Sequence, residues 1–356
     1  GCVGRRGYCH GSKQRTKPAY SGRKLGETSF TLDQSERAHV AESTFIVARD
    51  PVSAPLGLAD AVAAIGNFDG LHRGHRGVIA RAQHLAKKLN KPCVLLTFEP
   101  HPADIFAGEN VIFRLTPPQE KAVQAAKLGL DGMIILSFDQ AFSKRPAKEF
   151  TELILLHRLK LSAVVAGYDF RFGAGRLGDG EFLQKEGARL GFIVDIVDRI
   201  TQDEAGSIEA VSSTATREAL IKGDVAAARN LLGHPYFIRG RVRHGEKRGR
   251  ELGFPTANIQ LDPSNRLAFG IYAVTIMIES KIYQAVASYG RRPTFDNGPP
   301  LLEVFVFDFA DTLYDKEVEV AFYGLIRAEE KFADKEALIA QMHKDCLRAR
   351  EILTHK

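Results

Sequence analysis

From Val62 to Ile79 the chain runs Val-Ala-Ala-Ile-Gly-Asn-Phe-Asp-Gly-Leu-His-Arg-Gly-His-Arg-Gly-Val-Ile. The apolar run Val62 to Ile65 reads as a buried strand, Gly66 and Gly70 break it, and an apolar pattern of helical period begins near Gly74. This is a strand, loop, helix unit. His72 and His75 stand three residues apart where the helix starts, so both imidazoles fall on one face of its first turn, beside orphan N–H groups and the positive end of the dipole. Such a place attracts phosphate. Gly74 removes a Cβ between them and lets a triphosphate lie close to the backbone. A lone surface histidine usually means nothing, but two histidines with glycines at a strand-to-helix turn favour a phosphate site.

The His-x-Gly-His arrangement after Gly66-Asn-Phe-Asp-Gly70 resembles the signature of the nucleotidyltransferase superfamily, which attacks the α-phosphate of ATP and expels pyrophosphate. Working outward, strand-like runs at Cys93 to Phe98, Met133 to Leu136, Ala163 to Ala166 and Phe192 to Val197 alternate with helical patterns. Val78, Ile79, Ala82, Leu85, Ala86 and Leu89 mark one helical face; residues 118–128, 146–160 and 180–190 continue the rhythm. It predicts a parallel sheet covered by helices on both faces, with ligands at the carboxyl ends of the strands. From His234 the pattern changes. Runs at Tyr236 to Val242, Ile271 to Ile278, Tyr283 to Tyr289, Leu302 to Phe309 and Glu317 to Ile326 are β-branched and aromatic, predicting an antiparallel barrel or sandwich. One helix over 333–353, with Leu338, Ile339, Met342, Cys346 and Leu353 on its apolar stripe, closes it.

Length and composition agree with about two domains: 356 residues, 44% hydrophobic and 26% charged. The formal charge is +6, yet residues 1–26 hold seven Lys or Arg and no acid, so the rest is close to neutral. That argues against a nucleic-acid surface. Residues 1–57 read as a mobile basic leader: a transit peptide, an over-long start or a disordered extension. Cys2, Cys9, Cys93 and Cys346 show no metal spacing, which fits a reduced, cytoplasmic setting. The longest uncharged apolar stretch, Leu267 to Ile278, is too short to span a bilayer, so no membrane partner is expected. The expected units are 1–57 leader, 58–233 α/β domain and 234–356 β domain.

Several motifs stand after strands. Thr97-Phe-Glu-Pro-His-Pro102 reads as substrate wall or simple turn. Gly167-Tyr-Asp-Phe-Arg-Phe-Gly173 suits a flat heteroaromatic ligand, with core packing the alternative for either phenyl ring. Gly173, Gly175 and Gly178 satisfy G-x-G-x-x-G, with Asp195 where a dinucleotide fingerprint wants an acid; but this turn does not directly follow its strand, nor is that strand the first. Ser212-Ser-Thr-Ala-Thr-Arg217 opens a helix as a second phosphate clamp or as N-capping by Ser213. Gly240 to Asn258 could form a basic glycine flap, with Thr256 and Asn258 offering hard oxygens to a hydrated Mg²⁺. Glu303 is the lone carboxylate of Leu301-Leu-Glu-Val-Phe-Val-Phe307, as a base beside a substrate hydroxyl or a strand-edge group facing solvent.

Together these motifs resemble the prokaryotic bifunctional riboflavin kinase and FAD synthetase family, from about Ala59 to Ile352. The likeness rests on Gly66 to His75, Thr97 to Pro102, Gly167 to Gly173, Ser212 to Thr214 with Arg217, and Gly249-Arg-Glu-Leu-Gly-Phe-Pro-Thr-Ala-Asn258. It implies an α/β plus all-β chain: a doubly wound parallel-sheet nucleotidyltransferase domain, then a small antiparallel β-barrel with a C-terminal helix. The first would adenylylate FMN to FAD and the second phosphorylate riboflavin to FMN, with ATP as co-substrate and Mg²⁺ as cofactor. Implied catalytic residues are His72, His75, Arg217 and the kinase base Glu303. Implied ATP and phosphate contacts are Gly66, Asn67, Phe68, Asp69, Gly70, Gly74, Ser213, Thr214, Gly245, Gly249, Thr256 and Asn258, the last two also holding the metal. Phe98, Pro100, Asp169 and Arg171 are the implied flavin contacts. Ser288-Tyr289-Gly290 departs from the family's usual Asn-Ile-Gly, which weakens any role for Ser288 or Tyr289.

Two rivals come from other classes. A class I aminoacyl-tRNA synthetase shares His-x-Gly-His but wants a lysine-rich loop where Ser212 to Arg217 stands. A non-catalytic flavin-binding regulator would keep aromatic pockets but has no use for two triphosphate clamps.

Overall fold

The computed structural model describes residues 45–109, 111–199, 211–244, 254–291 and 300–355. Strands β1 (Ile46–Arg49), β2 (Val62–Ile65), β3 (Cys93–Glu99), β4 (Gly132–Ser137), β5 (Ala163–Gly167) and β6 (Ile193–Val197) form one sheet in the order β1-β4-β3-β2-β5-β6. Every neighbouring pair is parallel. The central strands are apolar throughout because both of their faces are covered. Val62, Ala64 and Leu95 pack under Val78, Ile79 and Ala82 of helix α1 (Arg73–Leu89), while Ala63, Ile65 and Leu96 face Phe150, Ile154 and Leu155 on the other side.

The remaining helices of this unit are α2 (Pro102–Ala107), α3 (Pro118–Lys127), α4 (Gln140–Ser143), α5 (Ala147–Glu149), continued by π-helical turns over Phe150–Arg158, α6 (Gly180–Leu190), α7 (Ser213–Ile221) and α8 (Val225–Leu232). From β2 the chain moves out to β3 and β4, then returns to the opposite side of β2 to lay down β5 and β6. The carboxyl ends of β2, β3 and β5 therefore border a topological switch point, where open α/β sheets bind ligands.

Residues 45–57 correct the expected leader. Within them Ile46 to Arg49 pairs in register with Gly132 to Ile135 and forms the edge of the sheet. Periodicity in this stretch is confined to Thr44 to Ala48, a run too short to read as a strand against the polar composition on either side. Residues 1–44 lie outside the described residues.

From Tyr236 the chain builds a closed antiparallel barrel, which decides between barrel and sandwich. Its strands are β7 (Tyr236–Arg243), β8 (Thr256–Gln260), β9 (Gly270–Ile278), β10 (Lys281–Gly290), β11 (Leu301–Val306) and β12 (Glu317–Arg327), in the order β10-β11-β8-β7-β12-β9, with β9 pairing back to β10. β8 has no counterpart among the sequence-based strands, because Pro255, Thr256 and Asn258 give it a loop's composition. Ala257, Ile259, Leu302, Val304, Val274, Ile276 and Phe322 fill the interior. The last helix, α9 (Lys335–Thr354), is capped by Asp334 and lies outside the barrel, with Ala349 and Leu353 against Ala273 and Phe307. Arg327 of β12 braces it through Asp345, Nη2 to Oδ2 at 2.8 Å.

The two units share a core. Phe113, Leu115, Val225, Ala228 and Leu232 of the first join the barrel's interior cluster. The Phe113 and Tyr236 rings meet edge to face at 6.2 Å, and the Arg114 N–H donates to Ser264 Oγ at 3.0 Å.

Candidate functional site

The strand, loop, helix unit forms as the sequence predicts, and its loop is tightly held. After β2 the backbone turns through positive φ at Phe68 (50°), Gly70 (87°) and Leu71 (43°). Such values cost energy at Phe68 and Leu71 and persist only where the surroundings over-determine them. Asp69, 2% exposed, accepts from the Leu115 and Thr116 N–H groups and from Arg217 Nη2 at 2.5 Å. The Gly70 N–H donates to Thr116 Oγ1 at 3.1 Å, and a Cβ at Gly70 would come within 2.9 Å of Leu115. Phe68 is buried, its ring edge to face with His75 at 5.2 Å. Phe68 and Asp69, both expected at the phosphates, are thus internal supports of the loop.

His72 caps α1, its Nδ1 accepting from the His75 N–H at 3.2 Å. An accepting Nδ1 places the His72 proton on Nε2. The two imidazoles stack at 3.6 Å with 16° between their planes. Burial, partly offset by Asp69, lowers His72 to about 4, and burial together with the charges of His72, Lys121 and Arg217 holds His75 well below its ordinary range. Both are therefore neutral hydrogen-bonding groups at neutral pH. His75 Nδ1 is buried and has no partner. A Cβ on Gly74 would lie 3.1 Å from the His72 ring and 3.4 Å from the Val211 carbonyl, which brings the start of α7 beside the start of α1. Two positive helix ends converge there.

At α7, Ser212 is the cap, accepting from the Ala215 N–H at 3.1 Å; Ser213, expected as a phosphate contact with N-capping as the alternative, donates its hydroxyl to the Asp69 carbonyl at 2.8 Å. Thr214 is exposed. Arg217 is pinned by Asp69 and by the Phe113 carbonyl, which accepts from Nε at 2.8 Å. The expected cation thus stands beside both histidines already oriented, and not as a free surface group.

The flavin residues expected here are dispersed. Phe98 is buried among Phe138, Phe142 and Phe150, with centroids about 6.1–6.2 Å away. Pro100, Asp169 and Arg171 are exposed, and Arg171 donates to the Phe170 carbonyl at 3.1 Å. An open cavity of about 650 Å³ at this end of the sheet is lined instead by Ile105, Phe106, Gln140, Ser143, Lys144, Ala174 and Gly175. Phe106, 65% exposed and edge to face with Phe138 at 5.9 Å, is the aromatic wall that the sequence did not single out. The dinucleotide fingerprint dissolves. Gly173 and Gly178 are glycines because a Cβ would come within 2.7 Å of Ala147 and of the Phe172 ring, and Asp195 is ion-paired to Arg81.

A second cluster lies on the barrel. β11 sits between β10 and β8, so Glu303 is not on an edge strand; its register partners are Ser288 on one side and Asn258 on the other. Directly opposed residues share a face of the sheet. With the interior side taken by Leu302, Val304, Ala257 and Ile259, Glu303, Asn258, Thr256 and Ser288 all belong to the outer face. Phe254 closes one flank, edge to face with Phe305 and with His343 of α9 at 5.1 Å each. Tyr289 points the other way, 1% exposed in the barrel core, so of the two departing residues only Ser288 borders this cluster. Gly245 and Gly249 lie outside the described residues. No group of three or more His, Cys, Asp or Glu that could hold a metal occurs among the described residues. The hard oxygens of Thr256 and Asn258 beside Glu303 fit partial ligation of Mg²⁺ whose other ligands are phosphates and water.

Known families match two successive stretches of the chain. The FAD synthetase family model matches residues 56–215 and the riboflavin kinase family model matches 232–353. The chain is 41% identical over 291 residues to the bifunctional riboflavin kinase/FMN adenylyltransferase of Escherichia coli (strain K12), covering 82% of this chain and 92% of that protein. It is 41% identical to the protein of the same name from Haemophilus influenzae, over 79% and 90%. A crystal structure titled macrolide-efflux protein from Streptococcus pneumoniae superposes with a TM-score of 0.74 at 31% identity, covering 85% of this chain and 98% of that one. No helix among the described residues is long and apolar enough to cross a membrane. With both domains matched in order and along most of its length, the chain belongs to the bifunctional riboflavin kinase/FMN adenylyltransferase family, its FAD synthetase domain first and its kinase domain second.

Proposed function

We propose that the two activities are housed separately: FMN adenylylation where α1 and α7 begin, riboflavin phosphorylation on the outer face of β8, β10 and β11. The observation that carries this division is that the two constellations stand in different units: His72, His75 and Arg217 where α1 and α7 begin beside the parallel sheet, and Thr256, Asn258 and Glu303 on strands β8 and β11 of the barrel. In the first site a phosphate oxygen of FMN attacks the α-phosphorus of ATP; the new P–O bond forms as the bond to the β-phosphate oxygen breaks and pyrophosphate leaves. A phosphate nucleophile needs no base, so positioning and charge stabilisation carry the step. The neutral imidazoles donate N–H bonds to the phosphates, the oriented Arg217 supplies charge, and Thr214 with the helix N–H groups completes the cradle. The isoalloxazine lies in the cavity walled by Phe106, with Gln140, Ser143 and Lys144 as its polar lining.

In the second site the terminal ribityl hydroxyl of riboflavin attacks the γ-phosphorus of ATP, its proton passes to Glu303, and ADP leaves. Thr256 and Asn258 would hold Mg²⁺ together with the phosphates, and the metal would supply neutralisation of the charge that develops there. Unpaired Cys93 and Cys346 suit a reducing, cytoplasmic setting. Glu303→Gln keeps the shape but cannot take the proton. Its riboflavin phosphorylation is expected to fall by about 10² to 10⁴ in kcat with a smaller change in KM, while supplied FMN still becomes FAD. Near-normal phosphorylation would return Glu303 to a structural role.

A further inference from the structure

Lys121 has no part in the chemistry above, yet it is one of the most deeply buried charges in the described chain, 2% exposed. It stands in the first turn and a half of α3, near the positive end of the dipole, where a cation is disfavoured, and burying an ammonium is costly unless every proton finds a partner. Here all three do. Nζ donates to the Asn67 carbonyl at 2.8 Å, to Glu99 Oε1 at 3.0 Å and to Thr97 Oγ1 at 3.3 Å. Thr97 Oγ1 in turn donates to the same Asn67 carbonyl at 3.0 Å. Behind them the charges alternate: Glu99 Oε2 accepts from Arg114 Nη1 at 2.6 Å, and Arg114 reaches Asp104 at 3.4 Å.

Asn67 is the residue from which the chain enters the positive-φ turn that places Phe68 under His75 and Asp69 against Arg217. With its donors spent, Lys121 has none left for substrate. We propose that Lys121 is a positioning residue for adenylyl transfer: it clamps the Asn67 carbonyl, so that the strained loop between β2 and α1 holds the His72/His75 pair and the start of α1 where the triphosphate reacts. Its charge also bears on His75, acting with burial to keep that imidazole unprotonated. The inference rests on assigning adenylyl transfer to the histidine site.

The test compares Lys121→Met and Lys121→Arg in the full-length protein, following FMN to FAD and riboflavin to FMN separately. Lys121→Met is expected to lose about 10² in kcat for FAD formation, the scale of a loop displaced by about 1 Å, with KM for ATP changing far less. Riboflavin phosphorylation persists and reports a folded chain. Because a cation near His75 has gone, that imidazole becomes easier to protonate, and the acid limb of the FAD-forming pH profile moves towards neutral pH. Lys121→Arg keeps the charge but not the three-acceptor fit: kcat falls while the acid limb stays in place. If Lys121→Met does not fold, Lys121→Arg decides, and full kcat in it sinks the proposal. A Lys121→Met protein with lower thermal stability but unchanged kcat and acid limb also overturns it. His75→Ala, run alongside, must lose FAD formation whatever Lys121 does, so an error in the site assignment shows there and an error about Lys121 shows in its own variants.

Discussion

The two stacked histidines make a pH signature at the residue scale. His72 titrates near its usual 6.5 when unfolded and at about 4 when folded. Between those values the unfolded chain binds more protons, so stability falls as pH drops from 6.5 towards 4 and is unaffected above that window. The cost is at most on the order of 3 kcal/mol for this residue. His72→Asn retains an acceptor for the His75 N–H, as asparagine is a good N-cap, but removes the titration. The variant should lose less thermal stability than the parent between pH 6.5 and 4 in a scanning-calorimetry series; an identical slope would show that His72 is not held neutral. The sequence singled out His72, His75, Arg217, Thr256, Asn258 and Glu303, and each falls in one of two clusters, the first where α1 and α7 begin and the second on β8 and β11. What sequence could not convey was partnership. Asp69 reads as a phosphate ligand until the Leu115, Thr116 and Arg217 donors around it appear, and those lie 46 to 148 residues away. Lys121 and Glu99 pair across 22 residues with no motif to announce them.

Individual elements were read with uneven success for physical reasons. Apolar runs buried on two faces, such as Val62 to Ile65, announce themselves; short strands with polar residues do not, and both β1 and β8 were missed. β1 shows what such a miss means. It closes the edge of the sheet against β4, with Ile46 N–H to Asp131 O at 3.0 Å and Asp50 N–H to Ile135 O at 2.9 Å. Removing residues 1–44 should leave both activities and the melting temperature in place. Removing residues 1–50 takes the strand as well, and losing its ladder and the half-buried Ile46 and Val47 is expected to cost about 2–4 kcal/mol. Urea unfolding of the two truncations distinguishes them: equal midpoints would make β1 dispensable. The G-x-G-x-x-G stretch had to be set aside on its context alone, since the motif itself cannot tell a glycine needed beside pyrophosphate from one needed beside Phe172 or Ala147.

Across the whole molecule, two sheets carry two reactions that share one intermediate. The units are joined through a continuous core, and the segment from Phe113 to Thr116 touches both: Leu115 and Thr116 hold Asp69, Phe113 packs on Tyr236, and Arg114 meets Ser264 of the barrel. Nothing in that arrangement requires one site's chemistry for the other's, because the kinase product, FMN, is a complete substrate for adenylylation. The most direct measurement is therefore complementation. Glu303→Gln should convert FMN but not riboflavin, His75→Ala should convert riboflavin only as far as FMN, and an equimolar mixture given riboflavin and ATP should accumulate FAD, followed by chromatography of the flavins. Separate sites linked by released FMN predict restoration of FAD synthesis in the mixture; a mixture of two folded variants that stops at FMN, or never leaves riboflavin, would contradict the division of labour between the α1 histidines and the β11 carboxylate.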